Sequence, residues 1–191
     1  MKEVYHMKKQ VQQIKTKQKM TTYEMTQIGL MTAVTCILGP LAIQLPGGIP
    51  LSLTNLMIYL TVYLLGWKKG TISYSLYMLL GIMGLPVFSG FTGGLGKVAG
   101  PTGGYIIGFI FLAVISGYFV EKFPGKKMIH IIGMLLGCIV DYILGTVWFM
   151  AQTHMILGSA LAVCVLPFLI GDALKIAVAT SVGPIIRKMN F

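Results

Sequence analysis

Acidic residues are scarce in this 191-residue chain, with five Asp and Glu against fifteen Lys and Arg. Charged residues of both signs make up only 10%, where a soluble domain normally carries about 25%. So few cannot cover a water-facing surface, which excludes a soluble enzyme, a secreted scaffold and a disordered regulator. Cysteine is rare as well. Cys36, Cys138 and Cys164 fall far apart inside apolar segments and read as small helix-packing residues. His6, His130 and His154 make no HxxxH or HExxH spacing, so no metal site is expected. The first 25 residues hold no apolar core, so a cleaved leader is not expected either.

Apolar sequence is what abounds, at 55% of residues and a mean hydropathy of +0.81. A membrane span needs about 20 mostly apolar residues at 1.5 Å rise each. Six candidates stand out, at 26–45, 51–66, 70–86, 103–121, 128–150 and 160–186. Gly66-Trp67-Lys68-Lys69-Gly70 reads as a tight cytoplasmic turn between the second and third. The expected fold is an all-α integral membrane protein with six transmembrane helices and both termini cytoplasmic. Residues 1–25 form a basic cytoplasmic tail and 26–191 the six-helix domain.

The distribution of cations supports that topology. With the tail inside, the inner face holds Lys2, Lys8, Lys9, Lys15, Lys17, Lys19, Lys68, Lys69, Lys122, Lys126, Lys127, Arg187 and Lys188. The outer loops hold only Lys97. Five or seven spans would destroy this asymmetry. The net charge of +10 is therefore topological, with the tail near anionic lipid headgroups and no nucleic-acid partner expected.

Small residues mark where helices approach closely. Gly133, Gly137, Asp141 and Gly145 recur every four residues on one stripe of the fifth span. Gly29 with Ala33, and Gly104 with Gly108, form small-xxx-small pairs. Each pair suits either packing inside the bundle or docking against another membrane subunit.

Ionisable groups within a span are functional candidates, because desolvating them costs several kcal/mol. Three qualify: Asp141, Asp172 and Lys175. Asp172 and Lys175 are three apart, on one helix face and able to pair. Pro167 suits a first helical turn, which puts Asp172 about 7 Å below the outer end, while Asp141 lies about 21 Å above Lys127. All three gather in the outer half. An internal ion pair that fixes packing is the alternative to ligand contact, and Asp141 could equally be a shielded packing group.

The stretch GLPVFSGFTGGLGKVAGPTGGYIIG at 84–108 is a glycine-rich outer loop leading from the third span into the fourth. Its partial GxGxxA match (Gly94, Gly96, Ala99) follows no strand. A P-loop also fails, since Phe91 holds the first glycine position and Val98 follows Lys97. No nucleotide site is expected on this chain. The loop can instead cap a pocket, or act as a flexible lid. Backbone N–H groups near Gly103 and Gly104 favour an anion, Lys97 is the cation on that side, and a carboxylate-bearing small molecule fits.

The residues GLPVFSGFTGGLGKVAGPTGGYIIGF, with PFLIGDALK in the last span, resemble the BioY family, biotin-specific substrate-binding (S) subunits of energy-coupling-factor (ECF) transporters. The resemblance runs from about Thr26 to Lys188. It implies six helices, a biotin pocket at the outer side, and docking through the first helix, by Gly29 and Ala33 here, onto a transmembrane coupling subunit carried by two cytoplasmic ATPases. By that resemblance Asp172 accepts ureido N–H groups of biotin, Lys175 holds Asp172 ionised or bonds a ligand oxygen, and Asn55 donates to the ureido oxygen. The carboxylate tail faces Lys97 or the N–H groups after Gly103, and Phe91, Tyr105 and Trp148 enclose the thiophane ring. Leu53-Thr54-Asn55 departs from the family pattern, which commonly has a glutamine in this segment.

Three other readings fit parts of the sequence. A solitary carrier driven by an ion gradient would use the same pocket, with Asp141 as a proton site. An intramembrane aspartyl protease would need Asp141 and Asp172 to share a proton, which Lys175 opposes. A purely structural membrane subunit would need neither the glycine-rich loop nor the Asp–Lys pair.

Overall fold

The structure, a computed structural model, describes residues 20–44 and 49–189. Most of the expected basic tail, residues 1–19, lies outside the described residues. The first helix, α1 (Thr22–Leu38), begins before the expected position 26. The reason is local: Thr21 Oγ1 accepts from Glu24 N at 3.2 Å while Thr21 N donates to Glu24 Oε2 at 2.9 Å. This capping box satisfies two otherwise orphaned donors.

Past α1 the all-helical expectation fails in one place. Strands β1 (Ala42–Gln44) and β2 (Pro50–Ser52) pair antiparallel, with Ile43 opposite Leu51. Pro46-Gly47-Gly48 between them is a turn signal in the sequence, although residues 45–48 lie outside those described.

The helix α2 (Thr54–Ile82) is interrupted at Gly66, whose φ of 78° and ψ of 175° suit glycine. A methyl group added at Gly70 would lie 2.8 Å from Val62 Cγ1. Eight residues of unbroken helix would separate the two by about 12 Å, so arms 54–65 and 67–82 fold back as a hairpin. The expected turn over 66–70 thus contracts to one residue. Glu121 Oε2 accepts from Trp67 N at 3.2 Å and caps the second arm.

A short helix, α3 (Leu95–Ala99), lies within the glycine-rich loop, followed by α4 (Gly103–Lys122) and α5 (Lys127–Thr153). The expected last span divides into α6 (Leu157–Cys164) and α7 (Leu166–Met189), parted at Val165, with Pro167 in the first turn of α7. Segments Gly103–Lys122, Lys127–Thr153 and Leu157–Lys188 are each long and apolar enough to cross a membrane.

The α4–α5 contact explains the glycine stripe. Added side chains would strike Phe119 at Gly133 and Tyr105 at Gly145, and would crowd Leu112 at Gly137. From the α4 side, Gly104 meets Trp148 and Leu144, and Gly108 meets Asp141. Gly104 and Gly108 therefore serve packing inside the bundle. Gly29 and Ala33 do not: both are exposed, and nothing lies within 4 Å of a methyl group added at Gly29.

Candidate ligand-binding site

A cavity opens where the strand pair, the α2 hairpin, α4, α5 and α7 converge. Asn55 of α2, Tyr105 of α4, Asp141 and Tyr142 of α5, and Asp172 and Lys175 of α7 all line it. The cavity together with its open mouth spans about 650 Å³. Tyr74, Tyr77, Phe88, Phe109 and Phe168 supply aromatic walls.

The polar floor is one network. Asp172 Oδ1 accepts from Asn55 Nδ2 at 2.7 Å and from Lys175 Nζ at 3.1 Å. The hydroxyl of Tyr142 donates to Asp172 Oδ2. Asn55, Asp172 and Lys175 are only 5%, 6% and 8% exposed. Such a pair is tolerated in an apolar interior only when its remaining lone pairs are bonded, and two neutral donors do this for Asp172. Asn55 Oδ1 in turn accepts from Leu56 N at 3.1 Å. One amide N–H of Asn55 and two ammonium N–H groups of Lys175 are left for a ligand.

Asp141 stands apart. It lines the same cavity and is 3% exposed, yet its Oδ1 is buried with no hydrogen-bond partner among the described residues. It shares no hydrogen bond with Asp172, so the proton-sharing geometry of an aspartyl protease is not formed.

The wall aromatics have their hydroxyls occupied. Tyr74 donates to Ile106 O at 2.7 Å, Tyr77 to Val87 O at 2.8 Å and Tyr105 to Cys164 O at 3.2 Å. They line the cavity while satisfying backbone carbonyls of neighbouring segments.

The loop 84–102 is fastened over this end. Gly94 N donates to Gly81 O at 2.7 Å, Gly90 N to Pro40 O at 2.9 Å, and Trp148 Nε1 to Gly100 O at 2.9 Å. Phe88 is buried against Gly81 and stacks edge-on with Tyr77 at 5.8 Å between ring centres. These ties describe a fixed cap in place of a free lid.

Five of the residues expected from sequence meet at the cavity: Asn55, Tyr105, Asp141, Asp172 and Lys175. Five others do not line it. Trp148 clasps the loop and covers Gly104, because its position on α5 shares the stripe that faces α4. Gly103 and Gly104 are close-packing positions against Val98 and Trp148, and Gly103 N is already spent on Gly100 O at 3.0 Å. Phe91, at 65% exposure, lies on a neighbouring groove between the strand pair and α7. Lys97, half-buried on α3, makes no ion pair among the described residues, and burial pulls its ammonium below the usual lysine range. Sequence reasoning missed Tyr142, Tyr74, Tyr77, Phe88 and Phe168. Nothing in a single span distinguishes a wall tyrosine from an ordinary core aromatic; only Tyr142, next to Asp141, offered a signal.

Fold and cavity together define a helical membrane protein with an open-mouthed pocket of aromatic walls and polar floor, the form of a substrate-capturing transporter component. The crystal structure of the S-component for biotin from an ECF-type ABC transporter superposes with a TM-score of 0.81 at 32% identity, covering 89% of this chain and 95% of that one. The BioY family model matches residues 9–190. The biotin transporter BioY of Thermotoga maritima is 34% identical over 87% of this chain and 97% of its own length. The probable biotin transporter BioY of Pyrococcus horikoshii is 32% identical over 86% and 96%. The chain belongs to the BioY family.

Proposed function

We propose that this chain captures biotin at the outer face of the cell membrane as the S subunit of an ECF transporter. The observation that carries the reading is the buried Asn55–Asp172–Lys175–Tyr142 network at the floor of an aromatic cavity. Its free N–H groups suit a urea oxygen, and the last lone-pair site of Asp172 suits a urea N–H. The rings of Tyr74, Tyr77, Tyr105 and Phe168 suit an apolar bicycle.

The same elements suit six spans with both ends cytoplasmic: α1, the two arms of α2, α4, α5, and α6 with α7. The hairpin at Gly66 supports this count, and so do the cations gathered on one side. Lys97, half-buried and without an acidic partner among the described residues, is the residue we assign to the carboxylate tail of the ligand. Gly103, Gly104 and Trp148 serve by holding the cap, and Phe91 faces the neighbouring groove; none of the four touches the ring.

Gly29 and Ala33 lie on an exposed face of α1 with Leu30 and Ile37, at 61% and 69% exposure. A small-residue face of this kind lets another helix approach closely, and we assign it to the transmembrane coupling subunit. Two cytoplasmic ATPases on other chains supply the energy.

Uptake of labelled biotin into vesicles tests this. Vesicles with this chain alone bind biotin without accumulating it, and adding the coupling subunit, the ATPases and ATP produces accumulation. Gly29→Leu abolishes accumulation and leaves binding intact. Accumulation by this chain alone, driven by an ion gradient, would overturn the reading in favour of a solitary carrier.

A further inference from the structure

We infer that Asp141 is a specificity-determining residue of the pocket, accepting a ureido N–H of the ligand opposite the Asp172 network. This rests on the biotin reading above and extends it to a second carboxylate.

The argument is an account of donors and acceptors. Asp172 carries about four lone-pair sites as a carboxylate, and Asn55, Lys175 and Tyr142 occupy three of them. A cyclic urea presents one oxygen flanked by two N–H groups. Free donors for the oxygen are present on Asn55 and Lys175, yet Asp172 has room for one N–H only. The second needs another acceptor within the same cavity. The hydroxyls of Tyr74, Tyr77 and Tyr105 donate to backbone carbonyls and can accept only as neutral oxygens, which makes them weaker acceptors than a carboxylate. Asp141 is the second carboxyl that lines the cavity, and its Oδ1 lacks a partner among the described residues.

Its position is built and not incidental. Asp141 falls in the glycine stripe of α5, opposite Gly108 of α4, and any side chain at 108 would strike Asp141 Oδ1. A buried carboxyl without a partner is costly, and a packing role would have supplied one from α4. None is supplied, so the partner arrives with the ligand.

The test is a cycle between protein and ligand, read by calorimetric titration in detergent. Biotin and its two mono-N-methyl ureido derivatives are titrated into the wild-type protein, Asp141→Asn and Asp141→Ala. Asp141→Ala is expected to weaken biotin binding about 10- to 100-fold. The derivative methylated at the nitrogen facing Asp141 suffers no further loss in that variant, whereas in the wild type its penalty is of similar size. Asp141→Asn, which preserves shape, shows the same non-additivity at smaller amplitude and serves if the alanine variant does not fold. Strictly additive penalties for both derivatives would overturn the inference, as would wild-type protein binding both derivatives as tightly as biotin. Failure of wild-type protein to bind biotin at all would instead overturn the biotin reading.

Discussion

Asp172→Asn removes one charge from a side chain that three donors share. Asn55 Nδ2 at 2.7 Å and Lys175 Nζ at 3.1 Å meet at Oδ1, and the Tyr142 hydroxyl meets Oδ2. An asparagine keeps one oxygen and turns an N–H₂ toward either Tyr142 or the Asn55–Lys175 side, so at least one donor loses its acceptor. Lys175, 8% exposed, loses its counter-ion as well. Breaking a buried pair from one side costs about 3–5 kcal/mol, and loss of a charge-assisted contact weakens biotin binding at least about tenfold. Thermal melting in detergent reads the first effect and calorimetric titration the second. The double variant Asp172→Asn with Lys175→Met separates structure from recognition, since it removes the stranded charge. It is expected to regain most of the melting temperature without regaining affinity. Wild-type affinity in the double variant would refute the reasoning, because the pair would then be holding α7 in place and touching no ligand.

Other perturbations test the scaffold around that network. Gly104→Val drives a side chain into Trp148 and the Leu144 carbonyl; it should cost about 1–3 kcal/mol by overpacking, seen as a lower melting temperature. Trp148→Phe keeps the bulk but drops the donor to Gly100 O. Amide hydrogen exchange over 95–100 should rise and biotin should dissociate faster, with α5 exchange unchanged. The Lys69 ammonium beside Glu24 and the Thr21 backbone N–H hold the Glu24 carboxyl below the usual range. A carboxyl depressed in the folded state contributes above its unfolded value and loses that contribution as pH falls through the folded one. The melting difference between wild type and Glu24→Gln should therefore be small but present at neutral pH, begin to shrink near the ordinary Glu value of about 4.3, and be lost as pH falls through the depressed folded one.

Much of the site was legible because burying charge in an apolar span is costly. Asp172 and Lys175 stood out as the only oppositely charged neighbours inside a span, and their spacing of three residues put them on one face. The structure joins them as read and brings Asn55 to them from a distant helix. Trp148 shows where one-dimensional reading stops. It lies seven residues from Asp141, on the same stripe, yet α4 and the loop intervene and it meets Gly100 in place of the cavity. Tyr142, one residue and about 100° further round, reaches Asp172 instead. The strand pair escaped notice because Ala42–Gln44 and Pro50–Ser52 are too short to show alternation against an apolar background. Gly66 was legible only as punctuation, and the extent of the hairpin needed the Val62–Gly70 contact.

Titration of the purified wild-type protein with biotin, with desthiobiotin and thiamine as comparators, bears most directly on the central claim. Saturable, tight binding of biotin is expected. Desthiobiotin should bind more weakly, because it keeps the urea but loses the thiophane ring that the aromatic walls enclose, and thiamine should not bind. Thiamine binding, or no biotin binding by a sample that melts cooperatively, would contradict the account.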